Sequence, residues 1–99
     1  MSDKSNPNVG VETRPAPPRA DRLPPWDVLL HNDDENDMVY VVETIVMLTP
    51  LPTQDAVERM LEAHHAGVAL LVNTHREHAE LLEEQFTSRG LTVTIEPSK

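Results

Sequence analysis

The sequence predicts an α+β domain: a small three-stranded antiparallel sheet packed on three helices, in the order β-α-α-β-α-β. Three observations carry this. Apolar residues recur at helical spacing in three segments. Three shorter aliphatic-rich segments flank them, and one of these alternates strictly. Proline and glycine stand at the joints between segments. Such an order buries one sheet face under a layer of helices.

Residues 1–25 are set apart as a disordered, proline-rich N-terminal arm. They hold six of the nine prolines and show no apolar period. Pro24-Pro25 closes the arm, because proline donates no backbone hydrogen bond. Residues 26–99 form the folded domain. Trp26–His31 (WDVLLH) reads as a strand running into the loop Asn32-Asp33-Asp34. Met38, Val41, Ile45 and Leu48 mark the first helix, with Asn36 as N-cap and Asp37 at its positive end. Pro50 and Pro52 close it. Thr53 is expected to cap the second helix, whose stripe runs Val57, Met60, Leu61 and His64 to Gly67 as the C′ residue. Val68–Val72 (VALLV) is fully apolar, as expected for the middle of a sheet. Thr74-x-x-Glu77 reads as a capping box opening a third helix with Ala79, Leu82 and Phe86 on one face. Gly90 stops it, and Leu91, Val93 and Ile95 alternate with threonines in the last strand.

Composition excludes several function classes. The chain has 99 residues, so one modest core forms and not two. Cysteine is absent, which removes disulfides, thiol catalysis and thiolate metal sites. No apolar run of about 18 residues exists, so no membrane span is expected. The first residues lack the apolar core of a secretory signal, and a cytoplasmic location is expected. The net charge of −9 is uneven: residues 1–25 carry net +1, and the remainder, with 4 basic and 14 acidic residues, carries −10. Such a domain repels phosphate backbones and suits a cationic partner, a free amino group included.

The chemistry-bearing residues narrow this further. Counted from Asp33, a calcium loop needs Gly at the sixth position and Glu at the twelfth, where this chain has Met38 and Thr44. The acidic loop is therefore a solvated connection or a cation site for an amine. His64 is a core histidine or an acceptor beside the loop. His75-x-x-His78 and His64-His65 lack a third metal ligand at useful spacing, so no metal is expected. Ser2, Ser5, Ser88 and Ser98 stand in no nucleophile motif, and no phosphate loop exists, so neither enzyme activity nor a cofactor is expected. Met38, Val41 and Met60 are core residues or the wall of an adaptable pocket.

Together these residues resemble the Clp protease adaptor ClpS family. The resemblance rests on Asn32-Asp33-Asp34 after a strand, on Met38 four residues past Asp34, and on Met60-Leu61-x-x-His64-x-x-Gly67, all without gaps between Trp26 and Gly67. It implies the ClpS-like fold, also that of the C-terminal domain of the ribosomal stalk protein. It further implies an adaptor, acting as a monomer, that binds proteins with a bulky hydrophobic first residue (Leu, Phe, Tyr or Trp). The adaptor delivers them to a Clp AAA+ ATPase of the ClpA or ClpC type, through that enzyme's N-domain. The chemistry fits. A free α-amine is a cation with up to three donors, and Asn32, Asp33, Asp34 and His64 supply acceptors for it. Leu30, Asn36, Met38, Val41, Met60, Ala63 and Leu91 would line the side-chain pocket, with Met38 as its gate.

The chain departs from the family's usual pattern at four places. Asn36-Asp37 replaces Thr-Pro, Ala63 replaces a valine and widens the pocket, and His65 replaces an aromatic residue. In the segment that implies ATPase docking, Glu77 and Glu80 are kept and Leu82 replaces a lysine. These departures motivate an alternative: a diverged relative that docks on a Clp ATPase or another partner without reading N-degrons. A small interaction domain of the same fold, with no terminus recognition, is the third.

Overall fold

The computed structural model describes residues 23–99. Residues 1–22, most of the expected arm, lie outside the described residues. The elements are β1 (Trp26–His31), α1 (Met38–Leu48), α2 (Thr53–Ala66), β2 (Val68–Thr74), α3 (Arg76–Ser88) and β3 (Val93–Pro97). The sheet order is β2-β1-β3, and both pairings are antiparallel. β1 pairs with β2 from Trp26 opposite Thr74 to His31 opposite Val68, with an irregularity between Val28 and Leu29. It pairs with β3 from Trp26 opposite Pro97 to Leu30 opposite Val93.

The predicted α+β class and element order hold, but the middle strand is β1, not Val68–Val72. Only one sheet face is covered. Ala69 and Leu71 face the helices, whereas Val68 and Leu70 remain 38% and 39% exposed. Val68–Thr74 is thus an edge strand with a bare outer face, and the expectation that its apolar run lies mid-sheet is not met, because apolar residues on the uncovered face do not signal burial.

The core lies between the sheet and the three helices. Val28, Leu30, Val41, Ile45, Leu82 and Phe86 fill it, each contributing roughly 1.5–3 kcal/mol by leaving water. Ala79, Leu82 and Phe86 form one buried face of α3, as their spacing predicts. On α2 the buried positions are Ala56 and Ala63 with Met60 partly buried, so the stripe is turned by one residue from the predicted Val57 and Leu61. Small alanines let α2 sit close to its neighbours, which outweighs the larger side chains beside them.

The helix starts differ from the predicted caps. Asp37, Pro52 and His75 hold the N-cap positions, and none makes a side-chain cap bond. Asn36 is thus not a cap, and Thr53 is the first helical residue. The predicted capping box does not form, because Thr74 Oγ1 lies 3.1 Å from His78 Nδ1 instead. The stop signals hold. Gly67 ends α2 at φ +94°, its N–H bonded to Ala63 O, and Gly90 follows α3 at φ +86°. That conformation is one glycine adopts without steric penalty. The last strand begins at Val93, and Leu91 precedes it, turned into the core.

A clasp closes the end of the sheet where β1 starts. Ser98 Oγ and Asn73 Nδ2 both donate to Asp27 Oδ1, at 2.5 and 2.7 Å, and Ser98 N–H bonds Pro25 O at 2.8 Å. The Ser98 bond, then the Asn73 bond, lower the Asp27 carboxyl below its ordinary range, against a smaller opposing effect of desolvation.

Candidate functional site: an acidic-rimmed apolar cavity

Where β1 ends, four elements meet around a cavity of about 210 Å³. For scale, a dry apolar cavity of about 150 Å³ is enough to hold benzene. Leu30 comes from β1, Met38 and Val41 from α1, and Met60, Ala63 and His64 from α2. The 32–37 loop adds Asn32, Asp33, Asp34 and Asn36. The helical period explains the grouping: Met60, Ala63 and His64 are three and four residues apart, on one face.

The cavity has two chemical halves. Leu30, Val41, Met60 and Ala63 make an apolar floor, with Leu30 and Ala63 almost wholly buried. Met38, 45% exposed, stands at the mouth. Asn32, Asp34 and His64 are exposed along the rim. No lysine or arginine lines the cavity. It therefore suits a ligand that is apolar at one end and cationic at the other.

Within the loop the two aspartates differ. Asp33 Oδ1 accepts from the N–H groups of Glu35 (2.9 Å) and Asn36 (2.8 Å), and its Oδ2 accepts from Asn36 Nδ2 (2.7 Å). Burial alone would raise its pKa, but the Asn36 side-chain bond and the two backbone bonds outweigh that and lower it. Most of its acceptor capacity is already committed. Asp34 accepts only Asn32 Nδ2, at 3.2 Å, among the described residues. Asn32 is held by its own N–H to Gly67 O at 3.0 Å. That bond leaves Asn32 Oδ1 free to accept.

The structure gathers all four expected amine-site residues (Asn32, Asp33, Asp34, His64) at one cavity. Of the seven expected pocket residues it gathers Leu30, Asn36, Met38, Val41, Met60 and Ala63. Leu91 is the exception. It is 3% exposed and sits in the core behind the Gly90 turn, so it does not line the cavity. His31, which no sequence motif singles out, also lines the cavity. Its adjacency to Asn32 was the available signal. Its Nε2 lies 2.7 Å from Thr94 Oγ1 across the sheet.

The expected docking residues divide. Glu77 and Glu80 are exposed on α3, and Glu80 pairs with Arg76 at 3.1 Å. Leu82 is 1% exposed and belongs to the core, so it is not a surface docking residue; its neighbour Leu81, 47% exposed, takes the outward position. A second, apolar depression involves Leu23, Pro24, Trp26 and His75, with Arg76 5.4 Å over the Trp26 ring. It lies at the opposite end of β1, about 17 Å away at strand rise, and has no comparable set of acceptors. Among the described residues no group of three His, Asp or Glu is placed to hold a metal.

This strand, acidic loop and histidine helix match a known family over most of the chain. The family model described as ATP-dependent Clp protease adaptor protein ClpS matches residues 21–94. The chain belongs to the ClpS family. The ClpS adapter of Synechococcus sp. (strain CC9902) is 48% identical over 77 residues, covering 77% of this chain and 74% of that protein. The ClpS of Gloeobacter violaceus is 42% identical over 76 residues, 76% of this chain and 82% of that protein. The chloroplastic adapter CLPS1 of Chlamydomonas reinhardtii is 42% identical over 93 residues, 92% of this chain and 54% of that protein. The structure of Agrobacterium tumefaciens ClpS2 bound to L-phenylalaninamide shares the fold, with a TM-score of 0.69 at 24% identity, over 78% of this chain and all of that one. ClpS proteins are adapters of an ATP-dependent protease, accessory to its chemistry and not themselves enzymes. Their sources include bacteria and chloroplasts. Among the described residues no helix is long and apolar enough to cross a membrane.

Proposed function

We propose that this ClpS protein captures polypeptides by a bulky hydrophobic first residue and its free α-amine, and hands them to a Clp AAA+ unfoldase. The observation that carries this is the division of one cavity into an apolar floor and an acceptor-lined rim. Asn32 Oδ1, the Asp34 carboxylate and a neutral His64 nitrogen receive the ammonium group. Each charge-assisted hydrogen bond contributes roughly 1.5–3 kcal/mol. Asp33 shapes the loop, and its charge favours the amine at short range. Leu30, Val41, Met60 and Ala63 receive the side chain, with Met38 at the mouth. L-Phenylalaninamide, bound by the Agrobacterium relative, carries the same two features: an α-amine and an aromatic side chain.

Delivery uses the exposed face of α3, with Glu77, Glu80 and Leu81 spaced at one helical turn. The receiver is the N-domain of a ClpA- or ClpC-type ATPase. The adaptor acts as a monomer in the cytoplasm.

Fluorescence anisotropy with a labelled Phe-first peptide, beside its N-acetylated form, tests the capture step. Binding that acetylation abolishes is expected. Equal binding of both forms would refute amine recognition, and binding of neither would favour the diverged adaptor that docks without reading N-degrons.

A further inference from the structure

The acidic loop is fastened to a distant part of the fold through one side chain. Asn36 Nδ2 donates to Asp33 Oδ2 at 2.7 Å and also to the carbonyl of Gly90 at 3.0 Å, so both of its hydrogens are used. Its backbone N–H donates to Asp33 Oδ1 at 2.8 Å. Four residues on, the Tyr40 hydroxyl donates to the carbonyl of Arg89 at 2.7 Å. The two acceptors are consecutive carbonyls in the turn that ends α3, where a helix leaves acceptors unsatisfied and carries partial negative charge. The left-handed Gly90 (φ +86°) shapes that turn.

We infer that Asn36 is a positioning residue that ties the amine-binding loop to the C-terminal turn of α3, with Tyr40 as the second point of attachment. The inference rests on the amine-site reading proposed above. Asn32 and Asp34 are exposed, and their side chains bond each other but nothing else among the described residues. Their place is therefore set by the backbone of the loop, which Asp33 folds and Asn36 anchors.

The test uses the full chain with Phe-first and N-acetylated Phe-first peptides, together with amide hydrogen exchange. Asn36→Ala is expected to lose at least fivefold in affinity for the free-amine peptide while the domain stays folded, with a lower melting temperature because two side-chain hydrogen bonds are gone. The amides of Glu35 and Asn36 are expected to exchange at least tenfold faster. Asn36→Asp, similar in shape but without donors, is expected to lose more. The double variant Asp33→Asn/Asn36→Asp returns a donor to the pair and is expected to recover part of the loss. The Asp33 carboxyl, followed by NMR titration, is expected to move back toward its ordinary range in Asn36→Ala. If Asn36→Ala fails to fold, Tyr40→Phe carries the test, with a two- to threefold loss expected and an unchanged affinity counting against the brace. Affinities of Asn36→Ala and Asn36→Asp within twofold of the parent, with unchanged exchange at Glu35 and Asn36, overturn the inference. If the parent binds acetylated and free peptide alike, the amine-site reading fails, and the exchange rates alone decide whether Asn36 anchors the loop.

Discussion

Asp33 and Asp34 are neighbours of one type with different work. Asp33 spends its lone pairs on two backbone N–H groups and the Asn36 amide. Asp34 keeps most of its own at the rim. The sequence placed both at the amine without distinguishing them, because the turn they form depends on where Asn36 points. His64 is exposed at the cavity rim, so the alternative of a core histidine falls away. His64→Ala is accordingly expected to leave the urea midpoint unchanged while weakening a Leu-first peptide at least tenfold. An affinity for His64→Ala within twofold of the parent would remove His64 from the site.

The elements show where pattern and environment part company. Helical period correctly assigned Ala79, Leu82 and Phe86 to the inside of α3. The same Leu82 was also carried to the docking surface by its position in the family-like segment, and the two assignments exclude each other. Burial settles it: Leu82 is core, and Leu81 faces out. Leu82→Asp is expected to destabilise the fold by about 3–5 kcal/mol, as an uncompensated charge at a core position does, read from chemical denaturation. Leu81→Asp is expected to change stability by less than about 0.5 kcal/mol, the usual range for a surface site. It should leave peptide affinity intact and weaken transfer to a Clp ATPase N-domain. A loss of peptide binding in Leu81→Asp would count against a role for this face confined to the proposed docking. Strand order was less legible. An apolar run reads the same whether both faces are covered or one is bare, and Val68 and Leu70 lie on the bare one.

At the scale of the whole molecule, charge and pH act together. The −10 carried by residues 26–99 favours the approach of a cationic chain end, and salt should slow that association. The same acidity shapes stability. Asp27 and Asp33 both have folded-state pKa values below their ordinary range, Asp27 chiefly through Ser98 and Asn73, Asp33 through hydrogen bonds that outweigh desolvation. A carboxyl lowered by folding stabilises the native state above its unfolded pKa, near 3.9, and that stability is lost as pH falls through the lower folded value. Urea midpoints are therefore expected to hold from pH 7 to pH 5 and to decline below about pH 4. Asp33→Asn should show a shallower decline over that acid range. An identical acid limb in the variant would mean that the loop bonds contribute nothing to folding.

What the sequence determined by itself is local in origin. Apolar period marked the elements, glycines marked the ends of α2 and α3, and Asn32-Asp33-Asp34 with His64 marked one end of the domain and the family. These follow from single-chain geometry: 3.6 residues per helical turn, two per strand repeat, and the freedom of glycine at positive φ. Only the tertiary structure decided that β1 is central, that Leu91 and Leu82 face the core, and that Asn36 reaches Gly90, 54 residues along the chain. Each of these depends on which surfaces and which hydrogen-bonding groups end up adjacent when distant segments pack. Spacing along the chain carries no information about that.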